Sequence, residues 1–306
     1  MSKENRSDEN LVLNAPKDLF TVVLCTLNEE EAIGKVIDEL RAEGFKNILV
    51  VDGYSTDNTV KIAKEKGVRV IYQHWSGKAG AVKTALDYVD TPYVAFLDAD
   101  GTYPPSELDK LIVHAPKYVE VIGKRSKKNI SLLHRFGNAI INKMFSLIFS
   151  VDVGDVLSGM YVLNTEVAKT LNLNSKGFEI EIEIVSQMVQ RGKVTYVPIR
   201  YEKRRGKRKL SSFRDGAKIV AYLIKMAKDY NPVLFFSIIA AAFLIPGIIT
   251  LGFTFITYAL RGIFHSGYAL MGVALTLVGV QGFLTAGIAT VLKRIEYLIL
   301  HNSSRK

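Results

Sequence analysis

Between Phe20 and Leu97 the chain alternates short apolar runs with longer stretches whose apolar residues recur every three or four positions. The runs Phe20 to Leu24, Asn47 to Val51, Val68 to Tyr72 and Tyr93 to Leu97 have strand length, and the last is apolar without alternation, as in a strand covered on both faces. Between them, Asn28 to Arg41 places Ile33, Val36, Ile37 and Leu40 on one helical face, with Gly44 just past its end. Thr59 to Lys66 and Lys78 to Tyr88 supply two further helices. Repeated βα units of this length predict a parallel sheet flanked by helices. Beyond them, Val119 to Gly123 reads as another strand. Leu132 to Phe149 reads as a helix with a polar stripe of His134, Arg135, Asn138 and Asn142. Ser212 to Asp229 is an amphipathic helix with Phe213, Ala217, Val220, Leu223, Ile224 and Ala227 on one face.

After Tyr230 the pattern changes class. Tyr230 to Leu260 and Gly262 to Leu292 contain no charged side chain, and each exceeds the roughly 20 residues that a bilayer core requires. Arg261 and His265 lie in the short link, which predicts a transmembrane hairpin. Lys218, Lys225 and Lys228 before it, and Lys293 and Arg294 after it, predict that both ends face the cytoplasm. Pro246-Gly247 can kink the first span, and Gly272, Gly279, Gly282 and Ala286 give the second a small-residue stripe for close packing. The alternative, two buried helices of a soluble core, is disfavoured because soluble helices rarely run so long without charge. The expected organisation is a disordered tail over 1–17, a cytoplasmic α/β catalytic domain over 18–210, an interfacial helix over 211–230, the hairpin over 231–292 and a cytoplasmic tail over 293–306. The first segment, Met1 to Asn14, is polar and mixed in charge, with no apolar core for a signal peptide.

Composition adds charge to this picture. Of 306 residues 48% are hydrophobic, ample for a core, and the formal net charge is +10. Its densest cluster is Lys203, Arg204, Arg205, Lys207, Arg208 and Lys209, which suits anionic lipid, phosphate or nucleic acid. Nucleic acid is disfavoured as a partner because the cluster precedes a membrane-bound helix and lacks interleaved aromatics. The single cysteine, Cys25, excludes an internal disulfide framework.

Candidate chemistry collects at the strand ends. The fourth strand stops at Asp98-Ala99-Asp100-Gly101, and residues two apart on an extended chain point the same way, so two carboxylates can converge on one hard cation, Mg2+ or Mn2+. Such an ion keeps open positions for phosphate oxygens. The alternative is that the aspartates cap a turn before a helix opening near Pro104. Asn28 and Glu29 follow the first strand and Asp52 and Asp57 the second, at the carboxyl ends where such sheets bind ligands. Asp57 also suits a helix N-cap. No Gly-x-Gly-x-x-Gly follows the first strand and no Walker sequence occurs, which disfavours dinucleotide and P-loop chemistry. Gly77-Lys78-Ala79-Gly80 is a small-residue loop whose one cation can reach a phosphate.

Taken together, Thr26-Leu27-Asn28-Glu29-Glu30, Val51-Asp52-Gly53 to Thr59, Gly77-Lys78-Ala79-Gly80-Ala81 and Leu97 to Gly101 resemble, in order and spacing, the family 2 glycosyltransferases with the GT-A fold. Within them the likeness is to dolichyl-phosphate mannose synthases and related polyprenyl-phosphate glycosyltransferases, over roughly residues 20 to 215. The resemblance implies that Asn28, Glu29 and Asp52 hold the base and ribose of a nucleotide sugar with Lys78 nearby, and that Asp98 and Asp100 bind the metal on its diphosphate. It also implies that Arg125 faces the acceptor, Arg135 grips a lipid phosphate, and the loop bearing Arg204, Arg205 and Lys209 folds over the phosphates. Asp100, Arg125 and Arg135 are the residues it assigns to catalysis. Mannose synthases commonly continue Asp-Ala-Asp-Leu-Gln-His, whereas this chain has Asp98-Ala99-Asp100-Gly101-Thr102-Tyr103, which puts the sugar and a third metal contact in doubt.

Two further segments follow from the likeness. Val153 to Leu163 is similar to a stretch that ends in Ser-Gly and a short strand near the bound sugar. Glu179, Glu181 and Glu183 alternate with apolar residues, which by periodicity suggests a strand, whereas the family places a helix there, and the helix is adopted. The expected activity is inverting, metal-dependent transfer of one hexose from a GDP-mannose or UDP-glucose type donor to dolichyl or another polyprenyl phosphate at the cytoplasmic membrane face. Rivals are another lipid, protein or polysaccharide acceptor, and a non-catalytic membrane scaffold. A processive polysaccharide synthase typically carries Gln-x-x-Arg-Trp, and the one tryptophan, Trp75, is misplaced for it. Self-association of the chain is left open.

Overall fold

A computed structural model describes residues 16–175, 177, 179–204 and 212–303. The chain divides after Val220 into two compact units. The first is built on seven strands: β1 (Phe20–Thr26), β2 (Ile48–Asp52), β3 (Arg69–Tyr72), β4 (Tyr93–Asp98), β5 (Glu120–Arg125), β6 (Met160–Asn164) and β7 (Val194–Ile199). They form one sheet in the order β3-β2-β1-β4-β6-β5-β7. The first four are mutually parallel, β6 runs antiparallel to both β4 and β5, and β5 and β7 are parallel again. The mixed, mostly parallel sheet expected from the sequence is thus present. β7 was not anticipated, although Val194-Thr195-Tyr196-Val197 carries the β-branched and aromatic signal of a strand.

Helices α1 (Ile33–Ala42), α2 (Thr59–Glu65), α3 (Gly77–Tyr88), α4 (Leu108–Ile112), α5 (Leu132–Phe149), α6 (Thr165–Lys169) and α7 (Ile180–Arg191) accompany the strands. Val22 and Leu24 of β1, Leu97 of β4 and Ile33, Ile37 and Leu40 of α1 share one buried core with Leu108 and Leu111 of α4. Their neighbours Val23 and Val51, which face the other way along the strands, are buried as well. Covered on both faces, these strands have no polar side to advertise, hence the unbroken apolar runs. The expectation of a helix from Asn28 fails, because Asn28 has a φ of 53° and the helix begins only at Ile33. The expected helix at 178–184 is found as α7, where Glu181 and Glu183 are both buried. Two residues apart on a helix point to nearly opposite sides, so an alternation that mimics a strand here reports a helix buried all round.

Helix α5 buries the apolar residues Ile141, Phe145 and Ile148. On its half-buried polar stripe, Asn142 donates to the Gly154 carbonyl at 3.3 Å and accepts from the Val156 amide at 3.0 Å. Leu132, Phe136, Ile140 and Leu147 form a second, exposed apolar stripe.

Helix α8 (Ser212–Tyr230) buries Ile219, Leu223 and Met226 and leaves Ile224 exposed, a stripe shifted from the expected one. The second unit contains α9 (Pro232–Arg261) and α10 (Ser266–Ser303), both long and apolar enough to cross a membrane. α10 runs past the expected end at Leu292. A Cβ on Gly279 would lie 2.7 Å from the Leu244 Cα, and one on Gly282 would lie 2.8 Å from the Ala240 Cβ. The small-residue stripe therefore lets the two helix backbones touch, as expected.

Candidate functional site

Strand β1 lies between β2 and β4, so connections leave it in both directions and open a crevice at the carboxyl ends. Thr26 of β1 is in register with Asp52 of β2, and Cys25 with Asp98 of β4. The acidic strand ends picked out in the sequence therefore stand side by side on one rim. The Cys25 thiol is pushed up to about 12 by burial and by the Asp98 and Glu181 charges, against the pull of Lys78, so it stays protonated. Asp98 rests on the Ser158-Gly159 segment: a Cβ on Gly159 would fall 2.0 Å from Asp98 Oδ2, and only glycine permits that seat. The Gly159 amide donates to the hydroxyl of buried Tyr103 at 2.7 Å, which ties the residues after Asp100 to the floor of the site.

Two cations interleave with the carboxylates. Lys78 donates to Asp98 Oδ1 at 2.8 Å and to Glu181 Oε1 at 2.5 Å. Burial opposes its charge, yet Asp98 and Glu181 outweigh that and hold its pKa well above the usual lysine value. Arg204 donates through Nη1 to Asp100 Oδ2 at 2.9 Å and through Nη2 to Glu29 Oε1 at 2.7 Å. The other Asp100 oxygen accepts from the Thr102 amide at 3.0 Å and the Thr102 hydroxyl at 2.5 Å. Burial and then the Asp98 charge push the Asp100 carboxyl up, against the pull of Thr102 and Arg204. Among the described residues, Glu29, Asp98, Asp100 and Glu181 are four carboxylates that share the cations Lys78 and Arg204.

The fit test for a divalent ion is the donor set. Asp98 and Asp100, hard oxygen donors two residues apart, match Mg2+ or Mn2+. Among the described residues no group of three or more His, Cys, Asp or Glu is disposed to hold a metal by itself. The remaining positions of such an ion therefore fall to phosphate and water, the usual arrangement for Mg2+ on a diphosphate.

On the neighbouring strand, Asp52 is fully buried and its oxygens are filled, by the Thr26 hydroxyl at 2.9 Å, the Ser55 hydroxyl at 2.6 Å and the Ser55 amide at 2.7 Å. In this structure it shapes the turn that follows β2. Asn28 engages the same turn: its amide donates to Ser55 Oγ at 2.8 Å and its Oδ1 accepts from the Thr56 amide at 2.7 Å. Asp57 accepts from the Thr59 amide at 2.9 Å and hydroxyl at 2.5 Å, the role of a local cap at the start of α2.

The arginines expected to face the acceptor make separate pairings. Arg125 makes a bidentate pair with Asp155, Nε to Oδ2 at 2.7 Å and Nη2 to Oδ1 at 2.8 Å, and lies over the Tyr201 ring at 5.6 Å. Burial disfavours its charge, but Tyr103 and Asp155 more than offset that and raise its pKa. Arg135 donates to the carbonyls of Ile130 at 2.8 Å and Lys128 at 3.4 Å, holding the entry to its own helix. Arg205 and Lys209 lie outside the described residues. Sequence reasoning gave Asp155 no role, and no local signal marks it, because it stands 30 residues from Arg125. Nor does the sequence mark Glu181 as the partner of Lys78, 103 positions before it.

Fold and site together define a sugar-nucleotide type of α/β transferase, and the comparisons agree. Residues 21–171 match the model of Glycosyl transferase family 2. A glycosyltransferase of Haloferax volcanii, AglJ, is 36% identical over 92% of this chain and 98% of its own length. A dolichyl-phosphate hexose transferase of the same organism is 32% identical over 69% of this chain and 95% of its own. Among solved structures, glucosyl-3-phosphoglycerate synthase of Mycobacterium tuberculosis, crystallised with Mn2+, UDP-glucose and phosphoglyceric acid, superposes with a TM-score of 0.58. That match has 22% identity over 68% of this chain and 79% of the other, so it speaks for the GT-A fold alone. The chain belongs to glycosyltransferase family 2 and is a glycosyltransferase.

Proposed function

We propose that this enzyme transfers a single hexose from a nucleotide sugar of the GDP-mannose or UDP-glucose type to dolichyl phosphate or another polyprenyl phosphate. The observation that carries the reading is the gathering of Glu29, Asp98, Asp100 and Glu181 around Lys78 and Arg204 at the sheet crevice. A membrane-bound setting is supported by α9 and α10 and by the exposed apolar stripe of α5 beside Lys127 and Lys128, and the basic residues flanking the two apolar helices favour the cytoplasmic face. The relative named for dolichyl phosphate and hexose supports the acceptor class.

Asp98 and Asp100 would hold Mg2+ or Mn2+ on the donor diphosphate, and that ion would stabilise the charge of the departing nucleoside diphosphate. Arg204 is placed to exchange Asp100 and Glu29 for phosphate oxygens once the ion neutralises the carboxylates. Lys78 fixes Asp98 and stays cationic next to the diphosphate. An acceptor phosphate oxygen attacks the anomeric carbon as the bond to the donor diphosphate breaks, inverting that carbon. The attacking phosphate is already ionised near neutral pH, so no strong general base is required. Arg125, Arg135, Arg205 and Lys209 remain proposed for the acceptor side, with Arg125 positioned by Asp155.

The test uses the full-length protein in dolichyl-phosphate vesicles with Mn2+ and radiolabelled GDP-mannose, UDP-glucose and UDP-N-acetylglucosamine in parallel. Label that appears in the extracted lipid with one hexose donor, and disappears in Asp100→Ala, is the expected result. Label that passes to protein or polymer instead overturns the acceptor, and equal labelling by the variant overturns the catalytic assignment.

A further inference from the structure

Beside the charged cluster stands a feature that neither metal binding nor phosphate binding uses. Tyr54 and Tyr72 stack on each other, with ring centroids 5.2 Å apart and planes within 17°, yet both rings are open to solvent, at 64% and 44% exposure. Tyr72 ends β3 and is the register partner of Asp52. Tyr54 lies two residues beyond Asp52, in the turn whose Ser55 and Thr56 hold Asn28. The stacked pair is thus built into the same rim as the candidate donor site.

Tyr54 is also strained. Its φ is 65°, in the left-handed region where a bulky side chain is rare and glycine is at ease. Asp52 enforces this backbone by accepting from the Ser55 amide, and the Gly53 amide is fixed on the Thr26 carbonyl at 2.8 Å. A glycine or asparagine would be cheaper there, and an exposed ring repays little of the cost by burial. Strain that the surroundings over-determine, at the end of a sheet strand, is the pattern of a binding residue.

Position selects the ligand. Counting across the sheet from β4 through β1 and β2 to β3 gives three strand spacings of roughly 4.8 Å, so the platform stands about 14 Å from Asp98. A sugar or phosphate bound at the metal cannot extend that far, but the base of the same nucleoside diphosphate can. Electron-rich tyrosine faces stack on any base through its flat π surface. Resting on the donor reading above, we infer that Tyr54, backed by Tyr72, is the stacking platform for the nucleobase of the donor and sets nucleotide affinity.

Titration calorimetry on the full-length protein with Mn2+ and GDP, UDP or inorganic pyrophosphate tests this. Tyr54→Gly is expected to raise the Tm by relieving the left-handed strain, while weakening the better-bound nucleotide about tenfold or more and leaving pyrophosphate binding unchanged. Tyr54→Phe, which keeps the ring, is expected to bind like the wild type. Unchanged nucleotide affinity in Tyr54→Gly overturns the platform, as does a loss confined to dolichyl-phosphate vesicles, which would assign the rings to the acceptor. If the wild type binds pyrophosphate but gains nothing from a base, the platform falls while the metal site stands. If it binds neither, the donor reading falls and the platform with it.

Discussion

Two buried charge systems in the α/β unit, separated only by strand β6, are built on opposite rules. At the end of β4, among the described residues, four carboxylates share two cations, Lys78 and Arg204. At the end of β5, Arg125 and Asp155 pair one to one through two hydrogen bonds. A one-to-one buried pair is a fixture that holds Arg125 in one orientation, whereas crowded carboxylates favour an added cation. The contrast separates Asp155, whose charge is spent on holding an arginine, from carboxylates that await an ion, and mutations of the two should part company.

The largest effect is expected on turnover. Asp100→Asn should lower sugar transfer by about a hundredfold or more, the scale of losing one charge-stabilising group in an active site. It should leave the Tm unchanged or raised, since it relieves the repulsion between the Asp98 and Asp100 carboxylates. Mn2+ with a nucleoside diphosphate should raise the Tm of the wild type but not of this variant. Near-normal turnover would dissolve the distinction at its functional end. Asp155→Asn should do the reverse and show first in stability. It strands a buried guanidinium, at a cost of about 3–5 kcal/mol seen in denaturant unfolding. An unfolding midpoint equal to that of the wild type would show Arg125 to be a free cation rather than a fixture.

This contrast also explains what was legible in the sequence. Asp52, Asp98 and Asp100 could be read because each follows a strand-length apolar run and a parallel sheet carries ligands at those ends. The sharing of cations could not, because it depends on partners brought from afar: Arg204 meets Asp100 across 104 residues and Glu29 across 175. Asp155 was hidden for the same reason. The second apolar stripe of α5 has a different cause. The polar stripe marks an amphipathic helix, but that Asn142 is engaged by the loop at 154–156 depends on a segment the helix pattern does not contain. Tyr54 escaped notice because nothing in Asp52-Gly53-Tyr54-Ser55 shows that the glycine takes an ordinary φ and the tyrosine the left-handed one.

A smaller effect sharpens the cluster itself. Arg204→Ala should free Asp100 and Glu29 from their shared cation and so tighten Mn2+ by about tenfold, the scale of one charge-assisted hydrogen bond. Turnover should fall at the same time, because the phosphates lose their counterion. Electron paramagnetic resonance titration of free Mn2+ reads the first change, and weaker metal binding would mean that Arg204 supports the site rather than competing for it.

The smallest effect concerns a third way of burying a carboxylate. Glu120, at the start of β5, is 2% exposed, and its Oε2 has no hydrogen-bond partner among the described residues. It lines a cavity of about 10 Å3 with Tyr161, whose hydroxyl is likewise unpartnered, and with Glu181. With no cation to share, burial alone holds its carboxyl well above the usual range, so neutrality comes from a proton. The folded chain keeps this proton at pH values where the unfolded chain has released it, near a glutamate pKa of about 4.3. The resulting stability is complete below that pH and is lost as pH rises through the folded-state value. Glu120→Gln imitates the protonated form at every pH. Its Tm should match the wild type in acid and exceed it by a margin that widens toward alkaline pH, with turnover little changed. A constant margin would mean that Glu120 carries its charge in the fold, and the rule that unpaired carboxylates here await a cation would then extend beyond the β4 cluster.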